Sequence, residues 1–535
     1  MDLVIQLHSH LPWVLGHGDW PHGTDWLSEA TLETYLPLVA QLRALRDERV
    51  DAPVTLGITP VLANMLAHPS FPGIVEKYAA QRAEAYEQGA AEFEAKGEGD
   101  LASVARWHGR HLATLRALWT ELGGDVLGAF RELADHERLE LTGSAATHGF
   151  LPMLGRDESV RFQLRLGFRE HRRLLGRDPQ GCWLPECAYR PAGWWEPLHH
   201  APHRGMRHGT EIDVAQAGFR YVTLDAPLVA GADKRHRRPP YRAYRIQSPD
   251  GSAHVRALVR DPRTAAQVWS ADGGYPGDGA YLEFHKQHWP GGLKLWRVTH
   301  RAADLGEKLP YWPEVAQAKA REHAGHFATL LGAIAREQHP WGTTLITAPF
   351  DTELFGHWWF EGPDFLAALY RALRAQPLIR PTTAGWHLLD NPEAPAIPVA
   401  PGSWGAHSDW STWVGAPVAY MWKRLWPLED RFWTTVPRAL GDERAHHALA
   451  QAARTFLLAQ SSDWPFIVTM GQATDYGQHR FHAHCADLDR LLDALVPALD
   501  GARTFEEADA IAAELATRDD PFPDVLPTLA ASLAA

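Results

Sequence analysis

In GCWLPECAYRP a carboxylate, Glu186, stands directly behind an apolar run and is flanked by Trp183, Pro185, Cys187 and Tyr189. A carboxylate among such neighbours is costly unless it is paired or put to chemical use; the structural alternative is a Glu that bonds a helix N-terminus. A second group lies in ITAPFDTELFGHWWFEGPDF, where Asp351 and Glu353 are followed by His357, Trp358, Trp359 and Glu361. In an extended stretch Asp351 and Glu353 point to the same side, so that one reaches a substrate atom while the other orients or tunes it. Two carboxylates from different strands, set among Trp and His, suit cleavage of a glycosidic bond. One attacks the anomeric carbon while the other protonates the leaving oxygen. The acid needs a raised pKa, which a neighbouring carboxylate and an aromatic wall would both supply. The third group opens the chain: in MDLVIQLHSHLPW, His8 and His10 close an apolar run. Such a pair can begin a metal site or present two imidazoles to a polyhydroxylated substrate, and by itself it leaves both readings open.

These groups need a scaffold. Seven short β-branched or aliphatic runs have the continuous apolar character of strands buried on both faces: 3–7, 54–59, 139–143, 182–185, 220–224, 255–259 and 344–347. Long helical stretches such as 74–95 and 313–337 separate several of them, which predicts βα units and a parallel sheet. Polar residues follow the strands in turn: His8 and His10, then Thr147-His148-Gly149, Glu186, Asp225, Arg260-Asp261, and Asp351 with Glu353. Reactive groups at the carboxyl ends of successive strands predict a barrel with its site on that face. A doubly wound open sheet would gather them at one or two switch points.

The expected catalytic unit spans 1–395, with a helical insertion at 74–122 and a loop segment at 226–250. A Pro-rich link then leads into a Trp-rich, helical C-terminal domain over 396–535, whose amphipathic stretches 482–500 and 504–519 have no strand between them. The basic, Pro-containing island 231–245 reads as a solvated loop or a mobile lid. The net charge of −13 argues against nucleic acid or an anionic membrane as partner. No apolar run approaches the ~20 residues of a membrane span, and no signal peptide is evident. Three cysteines are too few for a disulfide framework, which fits a reduced cytoplasmic setting. The 23 tryptophans and 30 histidines fit either an aromatic core or a sugar-binding surface, where indole faces stack on sugar C–H faces.

The segments HSHLPW, SAATHGFLP, CWLPECAY, PFDTELFGHWW, WGAHSDWSTW and QSSDWPF resemble, in order and spacing, the motif series of glycoside hydrolase family 57. The resemblance implies an incomplete (β/α)7 barrel plus a helical domain, and metal-independent, cofactor-free, retaining chemistry. It makes Glu186 the nucleophile and Asp351 the general acid/base, with Glu353 as its neighbour. His10 and His148 would bond the donor sugar, with His8 beside them. A metal would need further ligands, and taking them from His148 or Asp351 would cost the sugar-binding role, so the histidine pair tips towards sugar. Segments 267–286 and 402–413 look most like the family's 1,4-α-glucan branching enzymes, whose partners are α-1,4-glucan donor and acceptor chains. That likeness puts Trp269, Trp404 and Trp413 along a substrate groove. Asp463 and Trp464 would join from the helical domain, and Trp183 and His357 from beside the carboxylates. Branching enzymes of the family carry a tyrosine at the tip of a mobile loop, for which Tyr241 or Tyr244 is the expected counterpart. An α-amylase-type hydrolase or a 4-α-glucanotransferase on the same scaffold, a metal-dependent carbohydrate deacetylase, and a non-catalytic glycan-binding protein are the competing readings.

Overall fold

The computed structural model describes residues 1–136, 139–197, 204–231, 240–342 and 344–534. Seven parallel strands form the centre: β1 (Asp2–Ser9), β2 (Val54–Ile58), β3 (Leu139–Ser144), β4 (Gly181–Trp183), β5 (Tyr221–Leu224), β6 (His254–Val259) and β7 (Leu345–Asp351). β7 lies beside β1, and the order then runs β2, β3, β4, β5, β6. Between β6 and β7 the ring closes through a single parallel bridge, Arg260 to Thr347, where the Asp261 amide donates to the Thr347 carbonyl at 2.9 Å. The result is an incomplete (β/α)7 barrel. Every residue of β1 is buried, because one face of the strand meets the barrel interior and the other meets the surrounding helices. That double burial is why these strands read as unbroken apolar runs.

The expected helical insertion is an antiparallel pair, α1 (Phe71–Ala95) and α2 (Gly99–Glu121). Helix α3 (Asp157–Leu175) joins β3 to β4 and ends at Gly176, whose φ of 72° supplies the left-handed stop. Helix α4 (Pro313–Gln338) precedes β7. From Ser411 onward the described elements are all helical, among them α5 (Ala419–Leu440), α6 (His446–Ala459), α7 (Asp463–Met470) and α8 (Thr474–Leu499). None of the described helices is long and apolar enough to cross a membrane.

In the segment 231–245 the two tyrosines depart from expectation. Residues 232–239 lie outside the described set, but Tyr241 and Tyr244 do not occupy a loop tip. Both are buried, and Tyr244 begins a strand, Tyr244–Gln247, that pairs antiparallel with β6. The Tyr241 carbonyl accepts the amides of Thr344 and Leu345, and its phenol bonds Asp261, so it anchors the start of β7 instead of reaching for substrate.

Candidate active site

β4 ends at Trp183, and Pro185–Cys187 forms one tight turn in which Glu186 takes the left-handed conformation, φ 62° and ψ 24°. Cys187 follows at φ 49°, and His148 on the loop after β3 is at φ 55°. Non-glycine residues in this region cost about 1–3 kcal/mol each and persist where surrounding contacts over-determine them. Those contacts are visible. The Trp404 amide donates to the Glu186 carbonyl at 3.0 Å, and Tyr189 and Gly402 exchange both backbone bonds, at 2.9 and 3.2 Å. The segment after the Pro-rich link is therefore zipped onto the Glu186 turn.

Two donors meet the carboxylate itself. The Trp404 indole donates to Oε2 at 3.0 Å and the Ser462 hydroxyl to Oε1 at 2.9 Å. Ser462 also lies 2.8 Å from His148 Nδ1, and His148 Nε2 lies 3.0 Å from His8 Nε2. An ionised Glu186 only accepts, so Ser462 donates to it, His148 Nδ1–H donates to Ser462, and His8 Nε2–H donates to the bare His148 Nε2. Burial first, and then the charge of neighbouring histidines, holds His8 and His148 far below the usual imidazole range, so that both are neutral as this chain requires. His8 is further fixed by stacking on Trp183, ring centroids 4.5 Å apart, and His10 stacks on His148 at 4.0 Å. Trp183 is itself buried and serves as the backing of this stack.

His10 is held from three sides. Its Nε2 meets Asp463 at 2.8 Å, its Nδ1 meets Thr59 at 3.0 Å, and its amide donates to Glu353 Oε1 at 3.2 Å. Burial acts to raise Asp463, yet His10 and the Ser461 hydroxyl keep its carboxyl below the ordinary value. Glu353 also accepts the Tyr35 phenol at 2.6 Å. That contact depends on Gly356: at φ 128° its backbone passes so close to the Glu33 carbonyl that a Cβ would sit 1.9 Å from the oxygen. Only glycine lets the loop after β7 pack on the turn Thr31–Tyr35.

Burial raises both carboxylates, and different neighbours modify each. Burial, opposed by the Trp404 and Ser462 donors and aided by Asp351, pushes Glu186 up to about 7. Asp351, half-buried at the end of β7, is pushed well above the carboxylate range by burial and by Glu353, with Arg260 pulling the other way. Burial also takes Glu353 to about 7. Arg260 is anchored by Asp225, 2.8 Å from its Nε, and its guanidinium lies 5.5 Å over the Trp404 ring. Trp269, partly exposed, stands 6.3 Å from Trp404 and extends the aromatic wall outward.

Three expected groove residues sit elsewhere. Trp413 is buried between Phe150 and Phe466, with ring centroids 5.0 and 6.2 Å away, and Trp464 is buried with its indole donating to the Leu458 carbonyl at 2.8 Å. Both indoles pack the barrel–helix seam and do not line the groove. His357 points into a charged cluster, 2.9 Å from Glu33, which also pairs with Lys294 at 2.9 Å. Sequence reasoning passed over Ser462, although it stands in QSSDWPF beside Asp463, and over Tyr35, for which no motif signals a role. The groups of three metal-capable side chains among the described residues, His17/His484/Asp519 and Asp157/His208/Asp213, do not include His8, His10 or His148.

Two buried carboxylates with raised pKa, at the ends of the fourth and seventh strands of a barrel and set among Trp and His, are the arrangement that glycosidic-bond chemistry needs. Residues 4–384 match the family model for glycosyl hydrolase family 57, and residues 425–529 match that for the 1,4-alpha-glucan branching enzyme C-terminal region. The chain belongs to glycosyl hydrolase family 57. It is 36% identical to a 1,4-alpha-glucan branching enzyme of Thermococcus kodakarensis over 98% of this chain and 78% of that protein. The crystal structure of a branching enzyme of this family from Pyrococcus horikoshii superposes with a TM-score of 0.90 at 35% identity, covering 99% of this chain and 96% of the other. The alpha-amylase AmyC of Thermotoga maritima superposes at 0.83 with 28% identity, covering 99% of each.

Proposed function

We propose that this chain is a 1,4-α-glucan branching enzyme working by double displacement. Glu186 attacks C1 of an α-1,4 bond in the donor while Asp351 protonates the departing O4. A covalent glycosyl-enzyme forms on Glu186, and the shortened donor leaves. Asp351, now ionised, takes the proton of a 6-hydroxyl on an acceptor chain, whose oxygen attacks C1 and frees Glu186. The product carries an α-1,6 branch of retained configuration. His8, His10 and His148, with Asp463, bond hydroxyls of the sugar bound at Glu186, and Trp404 and Trp269 stack on the chain. Three free, buried cysteines agree with a reduced, cytoplasmic setting, and the branched product proposed here is a glycogen-like polymer.

The observation that carries this reading is the origin of Ser462 and Asp463. They lie within the helical region, residues 425–529, that matches the branching-enzyme C-terminal model, and they touch Glu186 and His10 directly. The likeness to AmyC favours simple hydrolysis as the second reading. Linear amylose incubated with the protein separates the two. New α-1,6 anomeric proton signals with few new reducing ends are expected, and Glu186→Gln should abolish them. Reducing ends without α-1,6 signals would mean a hydrolase, altered chain lengths with neither would mean 4-α-glucan transfer, and loss of activity with a chelator would point to a metal-dependent deacetylase.

A further inference from the structure

Trp20 and Trp289 are 67% and 54% exposed, and their rings meet edge to face with centroids 5.8 Å apart. Large indoles left in water are unfavourable unless the surface is used. Trp194, Trp312, Trp341 and Trp386 are similarly exposed, but none of them lies against another ring among the described residues. The Trp20–Trp289 pair is moreover built, from loops 269 residues apart in sequence that are both fastened to α1. On one side, Asp19 pairs with Lys77 at 2.8 Å and accepts the Thr24 hydroxyl at 2.9 Å. Gly23 crosses Gly18 so closely that a Cβ would lie 1.9 Å from the Gly18 carbonyl oxygen. On the other side, His288 and Leu293 exchange both backbone bonds at 2.9 Å, and the Gly291 carbonyl between them accepts Arg82 of α1. A Cβ on Gly291 would stand 2.5 Å from Ala85 Cβ, so this loop, too, lies directly on the helix.

Two residues beyond Trp20, a separate group of rings packs against the helical region, where Tyr476 lies 6.3 Å from Trp464, the residue after Asp463. His22 lies 6.0 Å from Trp26 and 5.1 Å from Tyr476 of α8. The Tyr476 phenol feels the charge of Asp463, which holds His10. Flat indole faces suit the C–H faces of glucose rings, and the Asp19–Lys77 pair beside them offers both acceptors and donors to hydroxyls.

We propose that Trp20 and Trp289 form a second α-glucan-binding platform, outside the catalytic centre, that holds a remote stretch of the same long chain whose nearer part occupies the site at Glu186. The proposal rests on the α-glucan reading of that site. The platform raises the local concentration of chain ends at the barrel mouth and selects long chains over short ones.

The test is electrophoretic retardation in native gels containing amylose, with Glu186→Gln as the parent so that no turnover alters the polymer. Adding Trp20→Ala or Trp289→Ala should weaken retardation about tenfold each, and Trp20→Phe or Trp289→Phe should restore much of it. Trp312→Ala, an exposed indole without an aromatic neighbour, should leave it unchanged, and thermal unfolding midpoints should match throughout. Equal retardation of the parent and both alanine variants would overturn the platform while leaving the catalytic reading intact, as would equal weakening by Trp312→Ala. A parent that amylose does not retard at all would overturn both.

Discussion

In the proposed double displacement Glu186 and Asp351 need opposite protonation states at the start, and the groups around each one set the pH window. Glu186, at about 7, must be ionised to attack, so activity is lost as pH falls through that value. Asp351 must be protonated, and burial with the neighbouring Glu353 raises its carboxyl, so the opposite limb is the loss of activity as pH rises and Asp351 ionises. Ser462→Ala removes a donor that favours ionised Glu186, which should move the acid limb of kcat/KM upward by about 0.5–1 pH unit. A pH–rate profile with an unmoved or lowered acid limb would detach Ser462 from the nucleophile. Glu353→Gln acts on the other limb. Above about 7 the Glu353 carboxylate is charged and repels ionisation of Asp351; its amide counterpart does not. The basic limb should therefore move to lower pH, while Tyr35 and the His10 amide keep an oxygen to donate to.

At the level of elements, α5 is fastened to the start of α3 by one buried carboxylate. Glu429 accepts the Gly155 amide at 2.9 Å, the Arg156 amide at 3.3 Å and the Ser159 hydroxyl, all within the approach and first turn of α3. Glu429→Ala leaves these donors buried without an acceptor and should cost about 1–3 kcal/mol in denaturant unfolding; Glu429→Gln, which keeps one oxygen, should cost less. Equal losses would mean that volume, not hydrogen bonding, matters there. The strands were legible because burial on both faces leaves an unbroken apolar run, and the polar residue behind each run marked the working face of the barrel. Glu186, Asp351, His8, His10 and His148 stood out in the sequence for the same reason: they sit in the last residues of a strand or a few residues past its carboxyl end. Motif spacing could not say which way an indole turns. Trp413 and Trp464 occur in the same motifs as Trp404 and Asp463, yet their side chains point into the seam. Ser462 and Tyr35 reach their partners only through tertiary packing, across 276 and 318 residues of chain, and an isolated hydroxyl has no periodicity to betray it. Tyr241 and Tyr244 misled because they stand at the end of a basic, Pro-containing stretch, whereas burial holds both and pairing with β6 holds Tyr244.

On the scale of the whole molecule, the helical region reaches the candidate active site through Ser462 and Asp463, so the proposed chemistry should depend on the seam between that region and the barrel. Arg480 of α8 is a buried pin in that seam. Its guanidinium donates to the Trp13 carbonyl at 2.6 Å and to the Tyr476 phenol at 2.7 Å, and lies 4.8 Å over the Trp464 ring. Trp13 follows the His8–His10 loop in the chain, and Trp464 follows Asp463. Nearby, Asp519 is held far below the carboxylate range by His17 and Arg518 despite its burial, and the Trp13 indole donates to the Arg518 carbonyl at 2.7 Å. Arg480→Met keeps most of the volume but removes these two hydrogen bonds, a third to His484 at 3.3 Å and the charge over Trp464. It should cost on the order of 2–4 kcal/mol and lower kcat together with stability, because α7 and the N-terminal loop lose their common anchor. The informative comparison is with Glu429→Ala, which loosens α5 from α3 and leaves Arg480 and its contacts in place. If Arg480→Met reduces kcat several-fold at a temperature where both variants are fully folded, and Glu429→Ala does not, the seam positions Asp463 against His10. If both leave kcat untouched, the helical region supplies its residues to the site through the local hydrogen bonds of Ser462 and Asp463 alone.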